Sequence, residues 1–291
     1  MPDFNDPRLA RPAGPATLFQ VASGAVAVRK APRADAEAGT FALHGETLDV
    51  FGQEGAFARV QCRRDRYTGW ALAAGLAPAI LTPTHKVSAL RTYAFPAPDV
   101  KAPPVLTLSL GARVTATGLR EGAWVECARA GWVHERHLAG LGVFEGDPAG
   151  VASRFLGAPY LWGGRESLGL DCSGLTQQAF EACGVLLPRD SDMQMAWSGT
   201  EVTPPVSKST QNDTVWAQND TLRRGDLVFW EGHVGILTAP GHLLHANAHH
   251  MMTAEEPLAE AVERIGKIVG PVLSVRRIDL AAARAQPPVW L

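Results

Sequence analysis

The stretch YLWGGRESLGLDCSGLTQQAF, residues 160–180, decides how the second half of the chain is read. A Gly-Gly pair opens it, and a single cysteine follows in Asp171-Cys172-Ser173-Gly174. Leu175, Ala179 and Ala182 then recur at helical spacing, with Gln177, Gln178 and Glu181 as polar positions between them, which predicts a helix. Gly184 fits the C′ position that ends it. Cys172 therefore falls at or near the first helical residue, where unpaired N–H groups and the helix dipole favour an anion and lower a thiol's pKa. Ser173 and Gly174 are small and would leave the thiol exposed to a substrate. The N–H of Cys172 itself would point to the same spot and suit an oxyanion. This is the setting of a nucleophile.

A cysteine nucleophile needs a base, usually histidine, and the chain has nine. His233 stands in Glu-Gly-His-Val-Gly-Ile, just before an apolar run. His245 follows twelve residues later in Leu-Leu-His-Ala-Asn. If HVGILTAP and GHLLHANA pair as a hairpin, the two histidines are cross-strand neighbours, and His245 can hold His233 in one tautomer. His242, His249 and His250 have only nearness in their favour. His242, His245 and His249 have the spacing of metal ligands on a helix, but Gly241 and Leu243-Leu244 indicate strand, so no metal is expected.

Elsewhere in this half, LLPRDSDMQMAW predicts a second helix with Asp190 or Ser191 as its N-cap. Residues 198–221 are polar and carry Pro204-Pro205, so they are expected to form a long loop or flap. RRGDLVFW and the two histidine segments predict strands. Helices first and an antiparallel strand set afterwards make an α+β layout.

The first half contains a repeat. Residues 45–76 and 111–138 share Glu54-Gly55-Ala56-Phe57 with Glu121-Gly122-Ala123-Trp124, Val60-Gln61-Cys62 with Val125-Glu126-Cys127, and Gly69-Trp70 with Gly131-Trp132. Short alternating runs separated by turn residues predict two small β-barrels. On this alignment Cys62 and Cys127 occupy matching core positions, and each Gly-Trp is a turn leading to a core aromatic.

Composition excludes several classes. Of 291 residues, 46% are apolar and 19% charged, and the formal net charge is −2, so neither nucleic acid nor an anionic membrane is an expected partner. No apolar window is long enough to span a bilayer, the N-terminus lacks a signal-peptide core, and the chain starts with Met, so a cytoplasmic location is expected. Four cysteines without a CxxC argue against a disulfide scaffold or a zinc ribbon.

The repeat resembles bacterial SH3 domains, in which a Gly-Trp-Val strand completes the barrel; Gly131-Trp132-Val133 matches it and Gly69-Trp70-Ala71 departs slightly. From residue 150 to 250, Tyr160-Leu-Trp-Gly-Gly, Asp171-Cys172-Ser173-Gly174, Gly225-Asp-Leu-Val-Phe, His233-Val-Gly-Ile and His245-Ala resemble, in order, the NlpC family of papain-like cysteine peptidases. Pro188-Arg189-Asp190-Ser191 with Gln194 also matches a segment that this family often carries. The resemblance implies two SH3-like barrels (residues 1–82 and 83–143) before a catalytic domain (144–291) with helices packed on an antiparallel sheet. It implies Cys172 as nucleophile, His233 as base and His245 as the orienting third member, with Tyr160 steadying the reacting carbonyl. Asp171 and Ser173 match residues that contact the substrate's amino end.

Two SH3 copies before such a domain resemble the γ-D-glutamyl-L-diamino acid endopeptidases. That likeness implies murein-derived peptides with a free N-terminal L-Ala as substrates, a role in cell-wall recycling, and no cofactor. Glu46 and Tyr67 best match the acid and the tyrosine that recognise the free amine in that subgroup. An N-acetylmuramoyl-L-alanine amidase, acyl transfer and a non-catalytic wall-binding protein are the alternatives.

Overall fold

A computed structural model describes residues 6–203, 221–288 and 290–291. The chain divides into two compact units. One contains the residues up to Phe144 together with Trp162–Leu168; the other contains Glu145–Leu161 and Gly169–Trp290.

The first unit is built of short strands. β1 (Thr17–Val21), β2 (Ala25–Arg29), β3 (Ala38–Leu43), β4 (Thr47–Glu54), β5 (Phe57–Cys62), β6 (Thr68–Leu72) and β7 (Leu76–Ala77) form one sheet in the order β3-β2-β6-β5-β4-β1-β7. β8 (His85–Val87), β9 (Arg91–Ala94), β10 (Leu106–Ser109), β11 (Arg113–Val114), β12 (Ala116–Glu121), β13 (Trp124–Cys127), β14 (Gly131–His134) and β15 (Leu138–Gly140) follow. They pair as β10-β9, β11-β8-β15 and β12-β13-β14. Successive side chains on a strand point to opposite faces, and in Ala25–Arg29 and Trp124–Cys127 every second residue is buried. Val28, Leu48 and Val60 fill one core, and Leu108, Val125 and Val133 fill a second.

The repeat survives, but its alignment shifts. In the first copy Glu54 pairs with Phe57, Arg59 with Trp70 and Val60 with Gly69. In the second, Glu121 pairs with Trp124, Glu126 with Trp132 and Cys127 with Gly131. Cys127 therefore occupies the position of Val60, and Cys62 lies two residues further along. The side-chain period of a strand is two, so the slip keeps both thiols in their cores. The Gly-Trp pairs also differ from the expected turn and core aromatic. A side chain at Gly69 or Gly131 would meet the carbonyl oxygen of Arg29 or Phe95, at 2.6 and 2.4 Å from its Cβ, so glycine is needed for close strand approach. Trp70 and Trp132 are half-buried, and the core positions are their successors, Ala71 and Val133.

The sequence places Trp162–Leu168 with the catalytic region, yet these residues pack in the first unit. Arg165, within β16 (Arg165–Glu166), donates through Nη1 to both carboxylate oxygens of Glu46 at 2.9 Å, and Ser167 Oγ lies 2.9 Å from Ser109 Oγ. Arg91 Nε donates to Ser167 Oγ at 2.9 Å.

The second unit has one antiparallel sheet. After β17 (Gly169–Leu170), its strands are β18 (Thr200–Thr203), β19 (Leu227–Trp230), β20 (His233–Ala239), β21 (His242–Asn247), β22 (Met252–Pro257) and β23 (Ser274–Arg277), in the order β18-β23-β19-β20-β21-β22. The helices are α1 (Pro148–Ser153), α2 (Cys172–Ala182), α3 (Ser191–Trp197), α4 (Leu258–Val269) and α5 (Leu280–Ala285). The α+β layout and the hairpin of the two histidine segments are as expected. Residues 200–203 are not loop: they form an edge strand on β23. The rest of the expected insertion, 204–220, lies outside the described residues.

α2 also departs from expectation. Gln177 and Gln178 are almost completely buried, so the helix is enclosed on nearly all sides. Gln177 Nε2 donates to Leu187 O at 3.0 Å, and Thr176 Oγ1 donates to Gln194 Oε1 at 2.7 Å. Leu237, Leu243, Leu258 and Ala261 belong to the core beneath α4.

Breaking a buried ion pair costs more than replacing it whole, because one charge is left without its partner. Arg165→Met is therefore expected to lose about 3–5 kcal/mol in urea unfolding, and Glu46→Leu/Arg165→Met clearly less; a double variant that loses the sum of the two single losses would show that the residues are not coupled.

Candidate active site

Cys172 is the first residue of α2, and Asp171 caps the helix by accepting from Gly174 N–H at 2.8 Å. The helix start is as predicted, but the thiol's environment is not. Cys172 is 7% exposed, and its pKa is pushed up to about 12. Burial is the largest cause, and the charge of Asp171 adds to it. The N–H groups of Val234 and Ser173 and the charge of Arg189 pull the other way but do not win. The Val234 N–H hydrogen bond sets the sulfur against the residue next to His233 on β20.

His233 and His245 come together as the hairpin predicts. His233 Nε2 lies 2.7 Å from His245 Nδ1, with the ring planes at 65°. Burial, then the neighbouring His245 and Arg264, push His233 down to about 3. Burial thus works against the charged form of both the thiol and the imidazole. The tryptophan before the turn, Trp230, packs 5.8 Å from the His233 ring centre and helps exclude water.

Two further groups extend this chain. His245 Nε2 lies 2.6 Å from Glu256 Oε1, and Arg264 of α4 donates to the same oxygen. Glu256 pairs across the sheet with Leu243, two residues before His245, so the carboxylate reaches the imidazole diagonally. MMTAEEP has little strand character of its own, so nothing in its pattern places Glu256 beside His245. Among the described residues, the donor atoms of His245, His250 and Glu256 lie within 4.8 Å of one another and could hold a cation, a different set from His242, His245 and His249. Both nitrogens of His245 and one oxygen of Glu256 already have protein partners there.

Asp171 and Ser173 sit beside the nucleophile but face inward. Arg189 donates to Asp171 Oδ1 at 3.0 Å and Oδ2 at 2.7 Å, and to Ser173 Oγ at 2.8 Å. Arg189 is 1% exposed. Gln194 completes the frame by donating to the carbonyls of Ser173 and Pro188 at 3.0 and 2.9 Å. These residues hold the α2 N-terminus, and the expected contact with a substrate amine meets a carboxylate already occupied by a guanidinium. Arg189 and Gln194 stand in the Pro-Arg-Asp-Ser segment that the sequence singled out.

Tyr160 is half-buried. Burial raises its phenol pKa first, and the charges of Cys172 and Asp171 add to the rise, so it stays a hydrogen-bond donor. Glu46 and Tyr67 lie in the other unit, 4% and 6% exposed. Glu46 also accepts from Leu43 N–H at 3.1 Å besides its pair with Arg165. The tyrosine ring fills the space beside Gly39. An amine-binding acid needs an open carboxylate, and Glu46 does not present one.

A neutral resting thiol has a kinetic signature. Alkylation of Cys172 by iodoacetamide, followed by peptide mass spectrometry, is expected to accelerate past pH ~8.5, the ordinary cysteine value, without levelling. A plateau reached in acid would mean a preformed thiolate–imidazolium pair.

Two family models match parts of this chain. The NlpC/P60 family model matches residues 157–263, and the model of the bacterial dipeptidyl-peptidase SH3 domain matches residues 28–76, the first copy of the repeat. A dipeptidyl-peptidase 6 of Lysinibacillus sphaericus is 29% identical over 122 residues, covering 41% of this chain and 40% of its own. A gamma-D-glutamyl-L-lysine dipeptidyl-peptidase of Bacillus subtilis is 36% identical over 101 residues, covering 32% of this chain and 28% of its own. The match thus spans less than half the length of either relative. A solved NlpC/P60 family protein from Bacillus cereus superposes with a TM-score of 0.68 over 90% of this chain and 99% of its own, at 19% identity, a likeness of fold alone. Among the described residues no helix is long and apolar enough to cross a membrane. The chain therefore carries an NlpC/P60 domain in its second half and a bacterial dipeptidyl-peptidase SH3 domain near its N-terminus.

Proposed function

We propose that this chain is a cysteine endopeptidase of short murein peptides, cutting the γ-D-Glu–diamino acid bond of peptides that begin with free L-Ala, and that it serves cell-wall recycling. The observation that carries the reading is the buried line from the Cys172 sulfur, against Val234 N–H, to His233 and His245. The names of the relatives, gamma-D-glutamyl-L-lysine dipeptidyl-peptidase among them, support the choice of bond.

The chemistry follows from the proton positions. His233 Nε2 faces His245, which leaves Nδ1 as the nitrogen to take the thiol proton. As the proton moves, the Cys172 sulfur attacks the γ-carbonyl carbon of D-Glu. The developing oxyanion meets the Cys172 N–H at the helix start and the Tyr160 hydroxyl. His233 gives the proton to the departing amine of the diamino acid, and the C–N bond breaks. The thioester remains. Water, deprotonated by His233, then attacks it and frees L-Ala-D-Glu, restoring the thiol. Burial disfavours a resting thiolate, so in this reading the thiol ionises as attack begins.

Preference for a free amino end is carried by the resemblance to the endopeptidase subgroup and by the dipeptidyl-peptidase names. With Glu46 and Asp171 both held by arginines, we assign the amine contact to neither.

The test is cleavage of L-Ala-γ-D-Glu-diaminopimelate, with a free or acetylated amino end, followed by mass spectrometry. Release of L-Ala-D-Glu from the free form only is expected, with none from Cys172→Ala and a loss of about 10²–10⁴-fold for His233→Ala. Cutting of both forms would remove the amine preference and keep the peptidase. No cutting of either, with release of the intact peptide from a muramoyl peptide, would make the protein an amidase.

A further inference from the structure

An imidazole is an ambiguous third member. An amide or a carboxylate presents an oxygen that accepts from the base, but a neutral imidazole can carry its proton on either nitrogen. With the proton on Nδ1, His245 would donate to His233 Nε2. His233 would then carry its own proton on Nδ1, where the base needs a lone pair. Something must exclude that state, and the structure places an acceptor on the far side of His245.

We propose that Glu256, held by Arg264, is a positioning residue that fixes the tautomer of His245 and, through it, that of His233. Glu256 as a carboxylate accepts only, so its 2.6 Å contact puts the His245 proton on Nε2. Nδ1 of His245 is then a lone pair and accepts the His233 Nε2–H at 2.7 Å. His233 Nδ1 is left open for the Cys172 proton. The inference rests on the cysteine-peptidase reading, since a tautomer matters only if His233 is a base.

Arg264 has a second part. A bare carboxylate on His245 would favour its imidazolium, which donates from both nitrogens and returns His233 to the wrong state. The guanidinium on the same Glu256 oxygen offsets that pull. The charged and titratable groups facing His245 are His233 from β20, Glu256 from β22, Arg264 from α4 and His250 from the turn after β21. Burial lowers the His245 pKa most, Glu256 raises it, and Arg264 and His250 lower it again, so the ring stays neutral. Burial raises the Glu256 carboxyl, but the hydrogen bond from His245 and the charges around it outweigh this, so it stays ionised. The device resembles a carboxylate behind a metal-bound histidine, where the outer partner sets the inner ring's tautomer.

Long-range proton–nitrogen NMR of the full chain reads histidine tautomers directly and needs no substrate. In the wild type at neutral pH, both His233 and His245 are expected to carry the proton on Nε2. In Glu256→Gln, whose amide can donate or accept, both are expected to become mixtures. kcat should fall about 10–100-fold, the usual effect of an outer-shell partner, with KM nearly unchanged. Arg264→Gln should raise the His245 pKa, so the acid limb of the kcat profile moves to higher pH. A wild-type His245 protonated on Nδ1 would overturn the proposal, as would unchanged tautomers and kcat in Glu256→Gln. If Glu256→Gln does not fold, the wild-type spectrum decides. If the wild type cleaves no peptide, the peptidase reading fails while the tautomers still decide this one.

Discussion

Two imidazoles facing each other at 2.7 Å, His233 Nε2 on His245 Nδ1, hold one proton between them. Nearly everything around the site bears on where that proton lies. The hairpin of β20 and β21 brings the rings together, β22 supplies the carboxylate behind them, and α4 supplies the cation behind the carboxylate. His245 is fully buried and the groups around it are mostly so, which makes their protein partners matter more. Burial also disfavours the charged forms of the thiol and His233.

Two buried arginines act as frames, one in each unit. Arg189 locks Asp171 and Ser173, and so the N-terminal turn of α2 on which the thiol stands. Arg165 locks Glu46 and anchors the 162–168 segment in the β unit. A planar guanidinium suits both tasks because it forms several fixed hydrogen bonds at once. Such pairs add more to the fixed geometry than to net stability, since burying the charges costs much of what their attraction returns.

The chemistry-bearing residues were legible because local rules govern them. Cys172 follows a capping Asp, and the two histidine segments show the apolar runs of a hairpin. What escaped reading depends on tertiary context. Burial reverses the expected direction of the Cys172 pKa, because one N–H donor at the helix start and one from β20 do not make up for the water that the surroundings remove. Gln177 and Gln178 read as a solvent face, yet both are buried, with Gln177 Nε2 donating to Leu187 O. Glu46 looked like an open acid because its partner, Arg165, lies 119 residues away in sequence. Cys62 and Cys127 were matched by letter, whereas strand pairing aligns Cys127 with Val60. Glu256 and Arg264 had no local signal, since they acquire their place only when β22 and α4 close behind His245.

The proposed reaction requires the Cys172 sulfur to form and then release a thioester. Rapid acid quench of the protein mixed with L-Ala-γ-D-Glu-diaminopimelate, followed by intact-mass and peptide mass spectrometry, detects it. A transient adduct of one L-Ala-D-Glu acyl group is expected on the peptide that contains Cys172, absent in Cys172→Ala. Turnover with no adduct on Cys172, or an adduct at another residue, would contradict it.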